Sequence, residues 1–329
     1  MPERVIIDTD PGIDDALALL LALQSPELDI AAITTVSGNV PVETATRNVF
    51  TILSLLPGAV WPPVASGASK PRKKAPVFAT ALHGDDGLGG LDRYRNVDGN
   101  PRYASPNVTL SENDAVDEIL YQLAIAPVPI TVITLGPLTN IAAAIEKDRE
   151  AMAKVKRVVL MGGAISVPGN ITLNAEFNIF VDPHAASIVF HAGIPLTMVG
   201  LDVTHQVRLK KNTLALAVAS GQTAVRQFLC DCTADLFAFA EKREGEASFP
   251  LHDPLAIGVV IDPSFVSTEA MYVEIETKDE VTEGMTLANT RPLKPECKKR
   301  PNAEVCTAVH ASRFLSFFLA RVLSQRSTS

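Results

Sequence analysis

The sequence is poor in cysteine, in aromatic residues and in basic charge, and each shortage excludes a class of protein. Its 329 residues include four cysteines, one tryptophan and 5% aromatic residues. Four scattered cysteines are too few for a disulfide framework, so we predict reduced thiols in a cytoplasmic protein. A formal net charge of −8 without long basic runs argues against binding to nucleic acid polymers.

Long hydrophobic runs are missing as well. No window contains about 18 uncharged apolar residues, so we expect no membrane-spanning helix and no membrane partner. The chain begins with a strand pattern at Val5–Ile7 rather than with a secretory signal. We expect Cys230 and Cys232 to point to different faces of a helix, and Cys297 and Cys306 to lie in a polar C-terminal loop.

Hydrophobic residues make up 47% of the chain and form short β-branched runs that alternate with helical patterns. Continuous apolar strands separated by helices predict a fold of the α/β class: a single open, mostly parallel sheet, doubly wound and Rossmann-like, flanked by helices. The predicted strands are Val5–Ile7, Ile30–Val36, Val128–Leu135, Val158–Met161 and Pro195–Val199. The predicted helices are Asp14–Gln24, Val42–Leu56, Leu138–Ile145 and Pro183–His191, with long helical patterns at Thr213–Glu241 and Val305–Leu323.

Two segments lack this alternation and are long enough to be functional loops. Lys70–Tyr103 contains a glycine-rich run after His83 that suits a mobile flap over a ligand. Gly162–Asn178 is a second loop without periodicity. No linker divides the chain, so we predict one domain over residues 1–329, with a flap-like loop at about 70–103 and a flexible tail at about 322–329.

The most informative segment is Asp8-Thr9-Asp10-Pro11-Gly12-Ile13-Asp14-Asp15. It places four carboxylates between a buried strand and an apolar helix, and in an open parallel sheet ligands bind at that end of a strand. The Pro-Gly turn folds Asp10 back toward the helix, while Asp14 and Asp15 occupy the first helical turn. Because such carboxylates repel one another without a cation, and all-oxygen ligands suit Ca²⁺ or Mg²⁺, the segment predicts a site for such an ion.

The residues alone leave two other interpretations of this segment open. Asp14 could simply cap the helix while the other carboxylates are solvated. Alternatively, Asp8-Thr9-Asp10 could be the Asp-x-Asp of a phosphotransferase or phosphatase, with Asp8 as the nucleophile. That pattern has Thr or Val two residues after the second aspartate, where this chain has Gly12.

The octapeptide resembles the N-terminal motif of the inosine–uridine preferring nucleoside hydrolases, and further motifs of that family follow in order over roughly residues 3–320. They are Thr34-Thr35-Val36-Ser37-Gly38-Asn39, His83-Gly84, Leu135-Gly136-Pro137-Leu138-Thr139-Asn140, Met161-Gly162-Gly163, Ala175-Glu176-Phe177-Asn178 and His252-Asp253-Pro254. The resemblance implies a Ca²⁺-dependent enzyme that hydrolyses the N-glycosidic bond of ribonucleosides to ribose and free base. It also implies a homo-oligomer, either a tetramer or a dimer.

The same resemblance implies a role for each matching residue. The implied calcium ligands are Asp10, Asp15, Asp253 and the backbone carbonyl of Leu135. The implied substrate contacts are Asp14, Asn39 and Asn178 to the ribose 2′- and 3′-hydroxyls, and Asn170 and Glu176 to the 5′-hydroxyl. Asp10 would also act as the general base toward a water molecule beside the metal.

Histidines would assist the departure of the base. His252 is the candidate general acid because it precedes the ligand Asp253, and His83 would assist it. His205 also fits a family motif, and we interpret it as structural support.

Two departures from the family leave the preferred base open. The only tryptophan, Trp61, is far from the motifs in sequence, which disfavours the branch that stacks purines on tryptophan. The nearest aromatic residue before His252-Asp253 in the expected region, Phe239, has no hydroxyl group. A calcium-dependent nucleoside or sugar binder without turnover is a further alternative, although the presence of both Asp10 and His252 argues against it.

Overall fold

Strands and helices alternate along the chain in the computed structural model, which describes residues 1–324 except 57, 59, 105, 107, 108, 220 and 291–298. The strands are β1 (Glu3–Thr9), β2 (Leu28–Thr35), β3 (Val64–Ser66), β4 (Thr131–Thr134), β5 (Arg157–Met161), β6 (Leu196–Val199), β7 (Arg208–Lys210), β8 (Ser248–Pro250), β9 (Val266–Met271), β10 (Val273–Ile275), β11 (Thr286–Ala288) and β12 (Ala303–Val309). The α-helices are α1 (Ile13–Leu23), α2 (Val42–Ser54), α3 (Thr80–His83), α4 (Ala115–Ile125), α5 (Thr139–Lys147), α6 (Arg149–Met152), α7 (Phe177–Val181), α8 (Pro183–Phe190), α9 (Leu201–Thr204), α10 (Lys211–Val218), α11 (Ala224–Glu244), α12 (His252–Ile261) and α13 (Ala311–Val322).

The central sheet confirms the predicted fold class. Its eight strands follow the order β3-β2-β1-β4-β5-β6-β12-β9. Neighbouring strands pair in parallel, except that β9 runs antiparallel to β12. The first six strands follow the doubly wound order in which the direction of winding reverses between β1 and β4. Two antiparallel pairs, β7 with β8 and β10 with β11, lie outside this sheet.

Apolar side chains cover both faces of the sheet, as a parallel sheet requires. Val5 and Ile7 of β1 belong to a core cluster with residues of α1, α2, α11, α12 and α13. Ile6, which points to the opposite face, belongs to a second cluster with residues of α4, α5 and α8. Every residue of α1 is buried, which explains why the helix is apolar nearly all round and why its aspartates need special partners.

Two predicted helical patterns are wrong in part. Val305–Leu323 was expected to be one helix, but β12 and α13 divide it, because Ala303–Val309 inserts between β6 and β9. Thr213–Glu241 is likewise divided into α10 and α11, where Thr223 accepts a hydrogen bond from the backbone N–H of Arg226 and so begins the second helix.

The cysteine predictions have mixed outcomes. Cys230 is exposed and Cys232 is buried, so they lie on different faces of α11 as predicted. The loop predicted for Cys306 is wrong, because this residue is buried in β12 between neighbouring strands. Cys297 and most of the predicted tail, from residue 325 onward, lie outside the described residues. In the part of the chain that the structure describes, no helix has the length and apolar character needed to cross a membrane.

Candidate functional site

The site lies where the winding of the sheet reverses. Asp10 directly follows β1 and Leu135 directly follows β4, so the two residues leave neighbouring parallel strands at the same edge. The backbone N–H of Leu135 donates to the carbonyl of Asp8 at 2.8 Å, which holds the two strand ends together. Ligands of open α/β sheets bind in the crevice at such a reversal.

Asp15 is fixed by four hydrogen bonds to one carboxylate, one of them from the backbone N–H of Asp10 to Oδ1 at 3.3 Å. The Thr9 hydroxyl donates to its Oδ1 at 2.6 Å. The Gly12 N–H donates to its Oδ2 at 3.1 Å and the Asn39 amide to the same oxygen at 3.0 Å. The bond from Gly12 caps the first turn of α1, so one carboxylate both begins the helix and belongs to the site.

Asp10 has one oxygen that is held and one that is free. Its Oδ2 accepts the Asn39 N–H at 2.6 Å, while its Oδ1 is buried without a hydrogen-bond partner. Two glycines make room for this carboxylate. A Cβ atom would lie 2.0 Å from Asp10 Oδ2 if added at Gly38, and 2.4 Å from Oδ1 if added at Gly136. Only glycine fits at these two positions, which explains their place in the motifs.

Three carboxylates form the tightest cluster. Asp14, Asp15 and Asp253 each offer an oxygen within 4.8 Å of the others. Burial, followed by repulsion from Asp15, raises the pKa of Asp14 to about 7. Burial also raises the pKa values of Asp10 and Asp253 well above the ordinary value, and neighbouring carboxylates raise them further. Such a cluster favours a bound cation, and its donor set of oxygens suits Ca²⁺. The sequence predicts Asp10, Asp15 and Asp253 as carboxylate ligands. The cluster contains Asp14, a predicted substrate contact, instead of Asp10.

Two histidines flank the carboxylates. His83 accepts the backbone N–H of Ile13 on its Nδ1 at 3.0 Å, so it touches the start of α1. His252 is the first residue of α12, and its Nδ1 lies 2.7 Å from the Thr204 hydroxyl. Burial lowers the pKa of His83 to about 4 and that of His252 to about 3. The ring of His205 lies 5.7 Å from the ring of His252.

The second irregular loop contributes three of the predicted residues. The Asn178 amide donates to the Leu135 carbonyl at 2.6 Å, so it reaches the strand end beside Asp10. Glu176 caps α7 by accepting the N–H groups of Asn178 and Ile179, and burial raises the pKa of its carboxyl although backbone hydrogen bonds oppose this. Asn170 is exposed and accepts the Phe177 N–H at 2.9 Å. These contacts place Asn178 within the site and Asn170 at its rim.

The surroundings of Asp8 do not favour the phosphotransferase interpretation. Its side chain is fully buried, and its Oδ1 accepts hydrogen bonds from the Thr34 hydroxyl at 2.5 Å and the Asn140 amide at 2.8 Å. Its Oδ2 is buried as well. Both oxygens are enclosed by protein atoms, and this does not favour attack by Asp8 on a substrate phosphate.

The loop at 70–103 is tied to the carboxylate segment through residues that the sequence analysis did not identify. The Asn48 amide donates to the carbonyls of Pro11 at 3.0 Å and of Asp86 at 2.8 Å. The Asp86 carboxylate in turn accepts three backbone N–H groups, those of Leu88, Gly90 and Leu91. Nothing local in the sequence signals these contacts, because Asn48 lies in an ordinary helix, α2.

The aromatic residues considered for base recognition differ in position. Trp61 packs against Phe50 of α2, with ring centroids 6.5 Å apart. Phe239 of α11 is 39% exposed, and Arg243 lies over its ring. The tryptophan is therefore part of the apolar packing.

Comparison with known proteins identifies the family. Residues 5–316 match the family described as inosine-uridine preferring nucleoside hydrolase. The chain is 38% identical over 323 residues to the pyrimidine-specific ribonucleoside hydrolase RihA of Salmonella gallinarum, covering 97% of each chain. It superimposes on a plant nucleoside hydrolase with a TM-score of 0.87 at 32% identity, covering 99% of this chain and 100% of the other. A purine-preferring ribonucleoside hydrolase from Gardnerella vaginalis gives the same TM-score and identity, with coverage of 97% and 98%. The chain therefore belongs to the inosine–uridine preferring nucleoside hydrolase family and is an N-glycosyl hydrolase.

Proposed function

We propose that the enzyme hydrolyses the N-glycosidic bond of ribonucleosides in a Ca²⁺-dependent reaction, giving ribose and free base. Asp10 serves as the general base and His252 as the acid for the departing base. The observation that carries this proposal is the Asp10 carboxylate, which has one oxygen held by the Asn39 N–H and the other buried without a partner. Asp8 also has a buried oxygen without a partner, but only Asp10 of these two lies beside Asp14 and Asp15, whose repulsion a bound cation would offset.

Calcium fits the donor set at this position. The ligands would be Asp10, Asp15, Asp253 and the Leu135 carbonyl, all of which supply oxygen. The mutual repulsion of the buried carboxylates supports a divalent cation, since such a charge would offset it. When bound, the ion supplies positive charge that attracts hydroxyl oxygens and makes a nearby water molecule more acidic.

The surrounding side chains have separate roles in proton transfer and in binding the sugar. Asp10 accepts a proton from the attacking water through its free Oδ1, while the bond from Asn39 keeps the carboxylate in place. Asp14, Asn39 and Asn178 bind the ribose 2′- and 3′-hydroxyls and so fix the sugar relative to Asp10. Glu176 and Asn170 bind the 5′-hydroxyl from the loop that carries Asn178.

The departing base takes up negative charge as the bond to C1′ breaks. His252 donates a hydrogen bond to it from a ring N–H, and His83 assists; the base takes up its proton from solvent as it leaves. Since burial lowers both pKa values, the rings are neutral near pH 7 and act as N–H donors rather than as cations.

The preference for a purine or a pyrimidine base must be tested with nucleosides of both classes. RihA of Salmonella gallinarum is described as pyrimidine-specific, whereas the Gardnerella vaginalis protein is described as purine-preferring. Packing of Trp61 against Phe50 gives no support to base stacking on tryptophan.

The decisive experiment is a panel of natural nucleosides with detection of the reducing sugar, run before and after treatment with a chelator. We expect release of ribose that stops on chelation and returns with added Ca²⁺. Asp235→Asn, a variant of an exposed carboxylate paired with Arg93, is the matched control and should keep both the activity and its dependence on calcium. Full activity in metal-stripped protein would exclude the metal-dependent mechanism.

Two broader expectations belong to the same proposal. Location in the cytoplasm is supported by the free thiols of Cys230, Cys232 and Cys306 among the described cysteines. A homo-oligomer, either a tetramer or a dimer, is the assembly that the family suggests. Light scattering of the purified protein would test the second expectation.

A further inference from the structure

Thr204 makes a contact that the proposed mechanism does not yet use. It is the last residue of α9, it is fully buried, and its Oγ1 lies 2.7 Å from Nδ1 of His252. Among the described residues, its hydroxyl has no other hydrogen-bond partner. His252 lies 48 residues later at the start of α12, so the contact joins two separate helix ends beside the carboxylates.

The direction of this hydrogen bond follows from the lack of another acceptor. A hydroxyl group can donate or accept, whereas each nitrogen of a neutral imidazole does only one of these. If His252 donated from Nδ1, the buried hydroxyl hydrogen of Thr204 would have no acceptor, which is unfavourable. The hydroxyl therefore donates to Nδ1, and the ring proton is on Nε2.

We propose that Thr204 is a positioning residue that holds the neutral His252 ring in the tautomer with its proton on Nε2, which makes Nε2–H the group available to the departing base. The catalytic consequence rests on the proposed function, because it takes His252 as the hydrogen-bond donor to the departing base. The tautomer itself depends only on the contact between the two side chains. In catalytic histidines generally, the hydrogen bond made by one ring nitrogen sets the tautomer and the orientation of the ring.

His83 has the same kind of hydrogen bond at Nδ1, and here the direction of the bond is certain. The backbone N–H of Ile13 can only donate, so Nδ1 of His83 must accept and its proton is on Nε2. The donor comes from the start of α1 for His83 and from the end of α9 for His252. Neither Nε2 has a hydrogen-bond partner among the described residues, which leaves two N–H donors for the acceptor atoms of a nucleobase.

The tautomer can be measured directly by ¹⁵N NMR of protein labelled in its histidines. The chain has six histidines, so the spectrum is simple, and His252→Gln identifies the signals of His252. In the wild-type protein we expect the His252 proton on Nε2. In Thr204→Val, which keeps the shape of the side chain but removes the donor, we expect a mixture of tautomers. A His252 proton on Nδ1 in the wild-type protein would overturn the proposal.

Kinetics test the catalytic consequence. Thr204→Val should lower kcat on uridine or inosine at least about tenfold, a part of the about 10²–10³-fold that one well-placed hydrogen-bond donor to a developing negative charge supplies. KM should change little, and p-nitrophenyl riboside should be hydrolysed at the wild-type rate because its leaving group needs no proton. Thr204→Ser keeps the hydroxyl and should restore kcat. Thr51→Val is the matched control, because this buried hydroxyl donates only to the Arg47 carbonyl within α2.

The outcomes separate this inference from the proposed function. An equal loss on nucleosides and on p-nitrophenyl riboside in Thr204→Val would show that Thr204 does not act through the acid. If the wild-type protein hydrolysed no nucleoside, the proposed function would fail, while the NMR result would still decide the tautomer. If Thr204→Val did not fold, the wild-type spectrum and the rate of Thr204→Ser would decide the question.

Discussion

Asp8 should make the protein less stable as the pH rises, and the structure gives the size of the effect. Burial raises the pKa of this carboxyl from 3.8 to about 7, although hydrogen bonds from Thr34 and Asn140 oppose the shift. Between these two values the unfolded chain releases a proton that the folded protein keeps. The contribution of Asp8 to the free energy of unfolding therefore falls by about 1.4 kcal/mol per pH unit in this window and levels off above pH 7.

Asp8→Asn removes the titrating group while it keeps the shape of the side chain. The free energy of unfolding of the variant, relative to the wild-type protein, should rise by about 3 kcal/mol between about pH 5 and about pH 8. The amide has its own cost, because its NH₂ group would occupy the position of the Oδ2 that has no partner. That cost is the same at both pH values, so it cancels from the comparison.

Urea unfolding at both pH values, in buffer with a calcium chelator, measures this difference. The fluorescence of Trp61, the only tryptophan, is a suitable probe because the ring packs against Phe50. Asp262→Asn is the control: the Ser264 hydroxyl and Arg313 lower the pKa of Asp262, so this carboxyl is ionised in both states above about pH 5 and the difference should be flat.

A flat difference for Asp8→Asn would refute the reasoning, since it would mean that Asp8 is already ionised at the lower pH. The variant should also still hydrolyse nucleosides, because the carboxyl of Asp8 is fully buried and Asp10 is unchanged. Complete loss of activity in a folded, calcium-binding variant would show that Asp8 has a role in the reaction.

Four further changes probe the site and its support. Asp10→Asn should remove most of kcat in steady-state assays, because an amide cannot accept a proton from water; a kcat near the wild-type value would exclude Asp10 as the base. His252→Ala should lower kcat on natural nucleosides by about 10²–10⁴-fold but spare p-nitrophenyl riboside, and an equal loss on both would contradict its role as the acid. Asn48→Leu should lower the free energy of unfolding by about 1–3 kcal/mol, because the buried carbonyl of Pro11 and the part-buried carbonyl of Asp86 lose their donor, whereas Thr51→Val serves as the control in the same helix. Removing the 2′-hydroxyl of the substrate should lower kcat/KM by about 10⁴–10⁵-fold, and a deoxynucleoside within tenfold of its ribonucleoside would contradict the diol contacts.

Much of the fold could be predicted because buried parallel strands are apolar throughout and short. Val158–Met161 was identified almost residue for residue, since Arg157–Met161 forms β5. The prediction was wrong where periodicity is ambiguous. The segment Val305–Leu323 contains apolar residues that fit a helix, yet its beginning pairs with β6 on one side and β9 on the other. Sequence patterns do not show which strand completes a sheet, because that depends on neighbours distant in the chain.

The site was predictable where its residues are adjacent in sequence. The carboxylates of the octapeptide can be seen directly in the sequence. Their hydrogen-bond partners, which give each carboxylate a different role, lie in distant parts of the chain. Asn140 lies 132 residues from Asp8, and Thr204 lies 48 residues from His252. Strand alternation could have distinguished Asp8 from its neighbours, since the period of two places it on the same face as Ile6, toward α5 and its Asn140.

Hydrogen bonding also explains how the segment can present carboxylates to a cation without losing its shape. Asp15 keeps bonds from Thr9 at the end of β1, from the Gly12 N–H that caps α1 and from Asn39, which follows β2. Asp10 is held through only one of its two oxygens. Bonds within the protein therefore fix the position of both carboxyl groups, and no ion pair occupies them among the described residues, so a binding cation meets a site that is already formed. Such preorganisation reduces the cost of binding, because the charges are brought together when the protein folds.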